Sequence, residues 1–204
     1  MTAAIILTHN RHELLNKTEA AIESQVDHVL VIDNASNPPV SSYNEVMYVS
    51  TQPPNLAQFW NMGIEHLQDH EYIAFLCDDA IVPDGWFDAV VSAMVENGSI
   101  IGCSDPFNRK YSTIKLEPDG DIMHRLCGWA FVLKNVGLRA DESMRWWWCD
   151  TDLDWQARKA GGLVIVGSHP VPNQLDNGFT NTKPELAHQA GLDGIVFAHK
   201  RGLS

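Results

Sequence analysis

Short apolar runs alternate, along the first half of the chain, with stretches whose apolar residues recur three to four positions apart. Ala3-Ala4-Ile5-Ile6-Leu7-Thr8 shows no polar alternation, the pattern of a strand buried on both faces. Leu14, Leu15, Thr18, Ala21, Ile22 and Gln25 then keep a helical stripe. Asn10 as N-cap, with Glu13 three residues on, predicts a capping-box start for that helix. His28 to Ile32 reads as a second buried strand, closed by the turn-rich Asp33-Asn34-Ala35-Ser36-Asn37-Pro38-Pro39, and Val46 to Val49 as a third. Asn55 caps a helix whose apolar face is Trp60, Gly63, Ile64 and Leu67. Tyr72 to Leu76 is a fourth strand, and Phe87, Val90, Val91, Met94 and Val95 mark the next helix. This alternation predicts an α/β fold: a mostly parallel central sheet with helices on both faces. Ligands bind such sheets beyond the carboxyl ends of the strands. The polar clusters Thr8-His9-Asn10-Arg11, Asp33-Asn34 and Asp78-Asp79 fall at those ends.

The second half is less regular. Ile100 to Ser104 and Ala130 to Lys134 read as strands, with a hairpin between them around Tyr111 to Asp121. Asp150 to Ala160 reads as a helix stopped by Gly161-Gly162, and Leu163 to Val166 as one more strand. From His169 onward Pro, Asn and Gly predict mostly loop, with a short helix near Pro184 to Gln189.

Composition narrows the function classes. The 204 residues suit one domain, and 14 Lys+Arg against 26 Asp+Glu leave a formal charge of −12. Such a field repels phosphate, which argues against nucleic-acid and anionic-membrane partners. No apolar run approaches the roughly 18–20 residues that span a bilayer. The apolar stretch Ala3 to Leu7 is short and lacks the basic flank of a signal peptide. Cys77, Cys103, Cys127 and Cys149 form no CxxC, as expected of reduced thiols in a cytoplasmic protein. HExxH, GxSxG, GxxxxGK[ST] and GxGxxG are all missing, which removes the support for hydride transfer, P-loop hydrolysis and serine hydrolysis.

Three constellations carry chemistry. Asp78-Asp79 places two adjacent carboxylates at a strand end, where they repel unless a cation sits beside them. Hard oxygen ligands there suit Mg²⁺ or Mn²⁺, though a plain turn with a helix N-cap uses the same residues. Trp146-Trp147-Trp148-Cys149-Asp150-Thr151-Asp152-Leu153-Asp154-Trp155 packs four Trp into ten residues. Sugar faces stack on exposed indoles, and a carboxylate among aromatics can serve as a general base; a core Trp cluster with acids favouring the helix dipole is the competing reading. His199, placed in a loop near the end, would complete a metal shell with Asp79, ahead of His169, His124 and His188.

In this order the segments resemble a family 2-type glycosyltransferase with the GT-A fold. Ile6-Leu7-Thr8-His9-Asn10-Arg11 is similar to an opening V-T-Y-N-R, and Val31-Ile32-Asp33-Asn34-Ala35-Ser36 to V-D-N-A-S. Asn55 through Asn61-Met62-Gly63-Ile64 resembles N-x-G…N-x-G-I, with Ala57 at the first Gly. Phe75-Leu76-Cys77-Asp78-Asp79-Ala80 resembles the D-x-D strand end, and Asp150-Thr151-Asp152-Leu153-Asp154 with Arg158, Gly161 and Gly162 resembles E-D-x-D-L…R-A…G.

The resemblance implies one GT-A (Rossmann-like) domain over residues 1–204 with a small antiparallel extension. About 1–104 would form a nucleotide-sugar half and about 105–204 an acceptor-binding and catalytic half. It implies inverting, metal-dependent transfer from a nucleoside-diphosphate sugar, UDP-linked by preference, to a hydroxyl on a glycan, a lipid-linked sugar or a protein side chain. Thr8, His9, Asn10, Arg11 and Asp33 would hold the base, Asn55 and Asn61 the ribose or a loop, and Asp78 the ribose or metal. Asp79 and His199 would bind Mn²⁺ or Mg²⁺, Asp150 would be the general base, and Trp147, Trp148 and Asp152 would face the acceptor. Lys200 and Arg201, with Arg11, would offset charge on the leaving diphosphate. Cys77 and Cys149 stand where the first acid of D-x-D and the Glu of E-D are usual, the latter removing a neighbour that would raise the pKa of Asp150. A non-catalytic nucleotide-sugar or glycan-binding domain is the alternative those cysteines support. A sugar nucleotidyltransferase is set aside, because Leu7-Thr8-His9-Asn10 lacks the Gly-rich phosphate loop. With Asp33, Asp78, Asp79 and Asp150 lining it, such a site accepts a diphosphate only through a divalent cation.

Overall fold

The computed structural model describes residues 1–105, 113–118, 125–172 and 184–203. The first hundred residues follow the alternation: β1 (Thr2–Thr8), α1 (His12–Ile22), β2 (His28–Asn34), β3 (Glu45–Val49), α2 (Leu56–His66), β4 (Tyr72–Cys77) and α3 (Trp86–Asn97). There follow β5 (Ile101–Ser104), β6 (Ile114–Leu116), β7 (Ala130–Lys134), α4 (Cys149–Ala160), β8 (Leu163–Val166) and α5 (Pro184–Arg201). Consecutive strand residues point to opposite faces, so the inaccessibility of both Ile5 and Ile6, and of both Ile73 and Ala74, means that the sheet is covered on each side. That is why these strands are apolar without alternation.

Among the described residues the strands form one eight-stranded sheet in the order β3-β2-β1-β4-β7-β5-β8-β6. The first four pair in parallel, as do β5 and β8. β7 runs antiparallel between β4 and β5, and β6 antiparallel along β8. The α/β architecture with a mostly parallel sheet and an antiparallel part is therefore the one the pattern predicts. At the change of direction, Phe75 of β4 lies opposite Phe131 of β7, with ring centroids 4.7 Å apart. Trp60 of α2 meets both rings edge-on.

Three expectations are corrected. Asn10 does not cap α1: the cap position is Arg11, without a side-chain bond, and Asn10 takes a left-handed φ of 57°. Its Oδ1 accepts from the Asn37 N–H instead, tying the β1 loop to the β2 loop. Of the hairpin expected around Tyr111 to Asp121, residues 111–112 and 119–121 lie outside the described residues, and the strand β6 within it pairs with β8. The C-terminal helix runs 18 residues rather than one or two turns, and His199 sits exposed on it rather than in a loop. Asn55 does cap α2, accepting from the Gln58 N–H.

Candidate active site

Strand register gathers the polar ends. Thr8 lies beside Asp33, and Leu7 beside Cys77, so the segments after β1, β2 and β4 leave the sheet side by side. Asp78 is nearly inaccessible; its Oδ2 accepts from Thr8 Oγ1 at 2.9 Å and its Oδ1 from Arg11 Nη1 at 2.9 Å. Thr18 of α1 donates to the Asp78 carbonyl at 2.9 Å, which fixes the turn from below. Arg11 Nη1 also stands 3.8 Å from Asp79 Oδ2. Burial raises the pKa of both carboxyls, and the Arg11 guanidinium opposes it. The pair does not cap a helix, because α3 begins at Trp86 behind Gly85.

Two adjacent carboxylates, each 4% exposed, share one guanidinium. Asp78 already spends both oxygens on Thr8 and Arg11, which leaves Asp79 as the carboxylate available to a cation. Hard oxygen donors in this setting fit Mg²⁺ or Mn²⁺ held by one or two carboxylates, with ligand phosphates filling the shell. Among the described residues, no three His, Cys, Asp or Glu side chains gather in metal-ligating geometry. The described contacts do not bring His199 to Asp79, and His169 and His188 join no such cluster; His124 lies outside the described residues.

Several side chains expected to meet a nucleotide hold loops together. His9 Nδ1 bonds the Asn34 carbonyl at 2.6 Å, and its Nε2 lies 2.9 Å from Asn10 Nδ2, which together orient the exposed ring. Asp33 is fully buried and accepts from the N–H groups of Ser36 and Val40, so its carboxylate shapes the β2 loop. Beside it, Asp33, Ala35, Ser36, Pro39, Tyr48 and Val49 line a cavity of about 330 Å³. Asn61 exchanges bonds with both backbone groups of Ala140 and donates to Glu142, while Asn55 donates to the Glu142 carbonyl. Of the two roles open for these asparagines, the structure shows loop ordering: they anchor the segment leading to the Trp run.

Asp150 stands in the first turn of α4, where acids complement the helix dipole. Burial raises its pKa; the Thr151 N–H, bonding Oδ1 at 2.7 Å, and the charge of Arg125 oppose this, while Asp154 adds to it. The missing Glu at Cys149 therefore does not leave Asp150 an ordinary carboxyl. Gly128 makes room for it, since a Cβ there would overlap Asp150 Oδ2 and lie 3.1 Å from its Cγ. The Cys77 thiol, pushed up first by burial, is pushed further by Asp79, Asp78 and Asp150, so both carboxylate sets act on one side chain. The buried Cys103 and Cys127 thiols are likewise raised by burial, Cys103 to about 12, and Cys149 with them. None is a ready thiolate.

The acceptor-side expectations divide. Trp147 is 41% exposed and offers a flat face. Trp148 instead stacks on Phe197 of α5 at 5.1 Å and donates to the Ala190 carbonyl. Asp152 is wholly buried, bonded by Lys200, Arg201 and Gln156. This corrects two readings: Asp152 anchors α5 rather than facing an acceptor, and Lys200 and Arg201 neutralise it rather than a diphosphate. Thr18, Gly128 and Asp193 escaped the sequence reading. Thr18 was visible only as part of an apolar stripe, and the other two carry no local signal.

The sequence pattern of glycosyl transferase family 2 matches residues 3–130, and the chain belongs to that family. No curated protein matches it significantly in sequence. Solved structures share its fold. S. aureus TarS 1-349 is 11% identical with a TM-score of 0.66, covering 83% of this chain and 59% of its own. TarS 1-349 in complex with UDP-GlcNAc is 10% identical, TM-score 0.61, over 83% and 57%. GalNAc-T7 with UDP, GalNAc and Mn²⁺ is 13% identical, TM-score 0.59, over 84% and 43%. The chain thus spans less than two thirds of the length of each. The fold is GT-A, and no described helix is long and apolar enough to cross a membrane.

Proposed function

With membership of glycosyl transferase family 2 as premise, we propose that this chain transfers a sugar, with inversion, from a UDP-sugar to a hydroxyl acceptor. The observation that carries the reading is Asp150, a carboxylate in the first turn of α4 whose place Gly128 leaves open and whose pKa burial raises. The UDP complexes of TarS and GalNAc-T7 support the choice of donor. The cavity of about 330 Å³ that Asp33 and Ser36 line at the β2–β3 side is of a size to take a base. Asp79 would hold the divalent cation, which supplies Lewis-acid charge on the diphosphate when bound.

An acceptor hydroxyl, resting against the face of Trp147, gives its proton to Asp150 as its oxygen bonds the anomeric carbon. The bond from that carbon to the diphosphate oxygen breaks on the opposite face, and UDP leaves with the electron pair. The acceptor is a glycan, a lipid-linked sugar or a protein side chain. Because the base must be ionised, the acid limb of kcat lies above the ordinary Asp value of 3.8.

Incubation with UDP-, GDP- and TDP-sugars and Mn²⁺, reading released nucleoside diphosphate, tests this. Asp150→Asn is expected to lower turnover by a factor of about 100 or more while UDP binding persists. Asp79→Ala should weaken UDP binding only when the divalent ion is present; an equal loss in EDTA removes the metal role. If wild type and Asp150→Asn both bind UDP and neither turns over a donor, the chain is a non-catalytic binding domain, the reading Cys77 and Cys149 favour.

A further inference from the structure

Asp193 of α5 is completely buried, and neither of its carboxylate oxygens is spent on α5's own backbone. Oδ1 accepts from the Arg145 N–H at 3.1 Å and from Gln189 Nε2 at 2.7 Å. Oδ2 accepts from the N–H groups of Trp146 at 2.8 Å and Trp147 at 2.9 Å. Three consecutive backbone N–H groups converging on one anion make a nest, a concavity that binds negative charge. Here the anion comes from a helix nearly fifty residues further along the chain.

The nest ends at Trp148, which takes a left-handed φ of 68° and caps α4 with no side-chain bond. Left-handed backbone is strained for a bulky residue and persists only where the surroundings over-determine it. Three hydrogen bonds just before it, the indole bond to the Ala190 carbonyl and the stack on Phe197 supply that constraint. Gly194 allows the close approach, since a Cβ there would lie 3.1 Å from Trp148 Nε1. Asp150 follows two residues later, so the direction in which its carboxylate leaves α4 depends on this turn. Lys200 and Arg201 close the far end of the contact on Asp152.

We propose that Asp193 is a positioning residue of the catalytic side. By filling the nest of residues 145–147 it fixes the turn at Trp148, presents Trp147 to the acceptor and aims Asp150 at its hydroxyl. This rests on the transferase reading given above.

The test uses Asp193→Asn in the full chain, with UDP-sugar hydrolysis and transfer measured beside UDP affinity and amide exchange. The nest N–H groups should exchange faster, and kcat should fall about tenfold to a hundredfold, the cost of a misplaced catalytic group. Donor KM and UDP affinity should stay within about twofold, because Thr8, Arg11, Asp78 and Asp79 are untouched, a kcat-against-KM split that general unfolding would not produce. Asp193→Glu, which keeps the charge but lengthens the arm, should give an intermediate kcat, and it decides the matter if the Asn variant does not fold. Wild-type kcat in either folded variant overturns the positioning role, as does a parallel loss of UDP affinity and kcat. A wild-type chain that binds UDP but turns over no donor overturns the function itself, and the positioning role with it.

Discussion

Residues 1–104 and residues 125–203 share one apolar core, but the helix that ends the second region is held by different forces from the helices of the first. In the first, α1, α2 and α3 lay buried apolar rows such as Leu15 and Ile22, or Trp86, Phe87, Val90 and Met94, onto the sheet. In the second, the buried residues of α5 are one carboxylate and one ring, Asp193 and Phe197. Its place is set by ion pairs and hydrogen bonds: Asp193 to the 145–147 backbone, and Lys200 and Arg201 to Asp152. Apolar burial is non-directional and forgiving of small shifts, whereas buried hydrogen bonds hold only within narrow distances and angles. The helices of the first region are thus placed by apolar burial, and α5 by directional bonds.

The strongest way to break the comparison is at the seam the two regions share. Phe75→Ala removes a ring that is 1% exposed and stacked on Phe131, and should cost about 3–5 kcal/mol by urea denaturation. Both regions should unfold in one transition; a donor side that survives alone would show the seam to be dispensable. Gly128→Ala should act on geometry only. Its methyl group displaces the Asp150 carboxylate, so turnover should fall about tenfold or more while UDP affinity holds. A variant with full turnover would mean that the position of Asp150 is not critical.

The smallest effect is that of acid, and its sign differs between the buried carboxyls and Asp141, which bonds to α5. Burial raises the folded pKa of Asp78, Asp79 and Asp150, so their contribution to stability is fully present below 3.8 and is lost as pH rises through the raised values. Asp141 is the opposite case. Burial would raise it, but hydrogen bonds from Lys200 and Ser143 outweigh burial and hold it at about 2. Its contribution is present above 3.8 and is lost as pH falls from there toward about 2. Amide exchange at about pH 3 should therefore show α5 loosening before β1, β2 and β4 do. Equal protection of the two at that pH would remove the distinction.

How much was legible in the sequence follows the same division. Strands β1, β2 and β4 were readable because a strand covered on both faces must be apolar throughout. The Asp78-Asp79 pair was readable because adjacent carboxylates at a strand end need a positive charge beside them, which the Arg11 guanidinium supplies. Helix α5 was not, since Gly191 and Gly194 each cost about 1 kcal/mol of helix propensity and mask the pattern. Asp152, Lys200 and Arg201 were seen as chemically apt, but a charged side chain does not reveal in sequence whether its partner is a ligand or another helix. Asn10 misled for a related reason. The residue type that caps helices is also the one that tolerates left-handed backbone, and the bond to Asn37 decided between them.

By itself, the order of apolar and polar positions determined the α/β class, the parallel strands and the edge of the sheet where the polar clusters gather, because those follow from periodicity and burial. Only the tertiary structure decided which carboxylates stay available. Asp152 is consumed by Lys200 and Arg201, brought from nearly fifty residues along the chain, and Asp33 by the backbone N–H groups of its own loop, while the proposal gives Asp79 and Asp150 the chemistry. The physical reason is that a carboxylate's role depends on which donors reach it in space, and no local pattern records a partner fifty residues away.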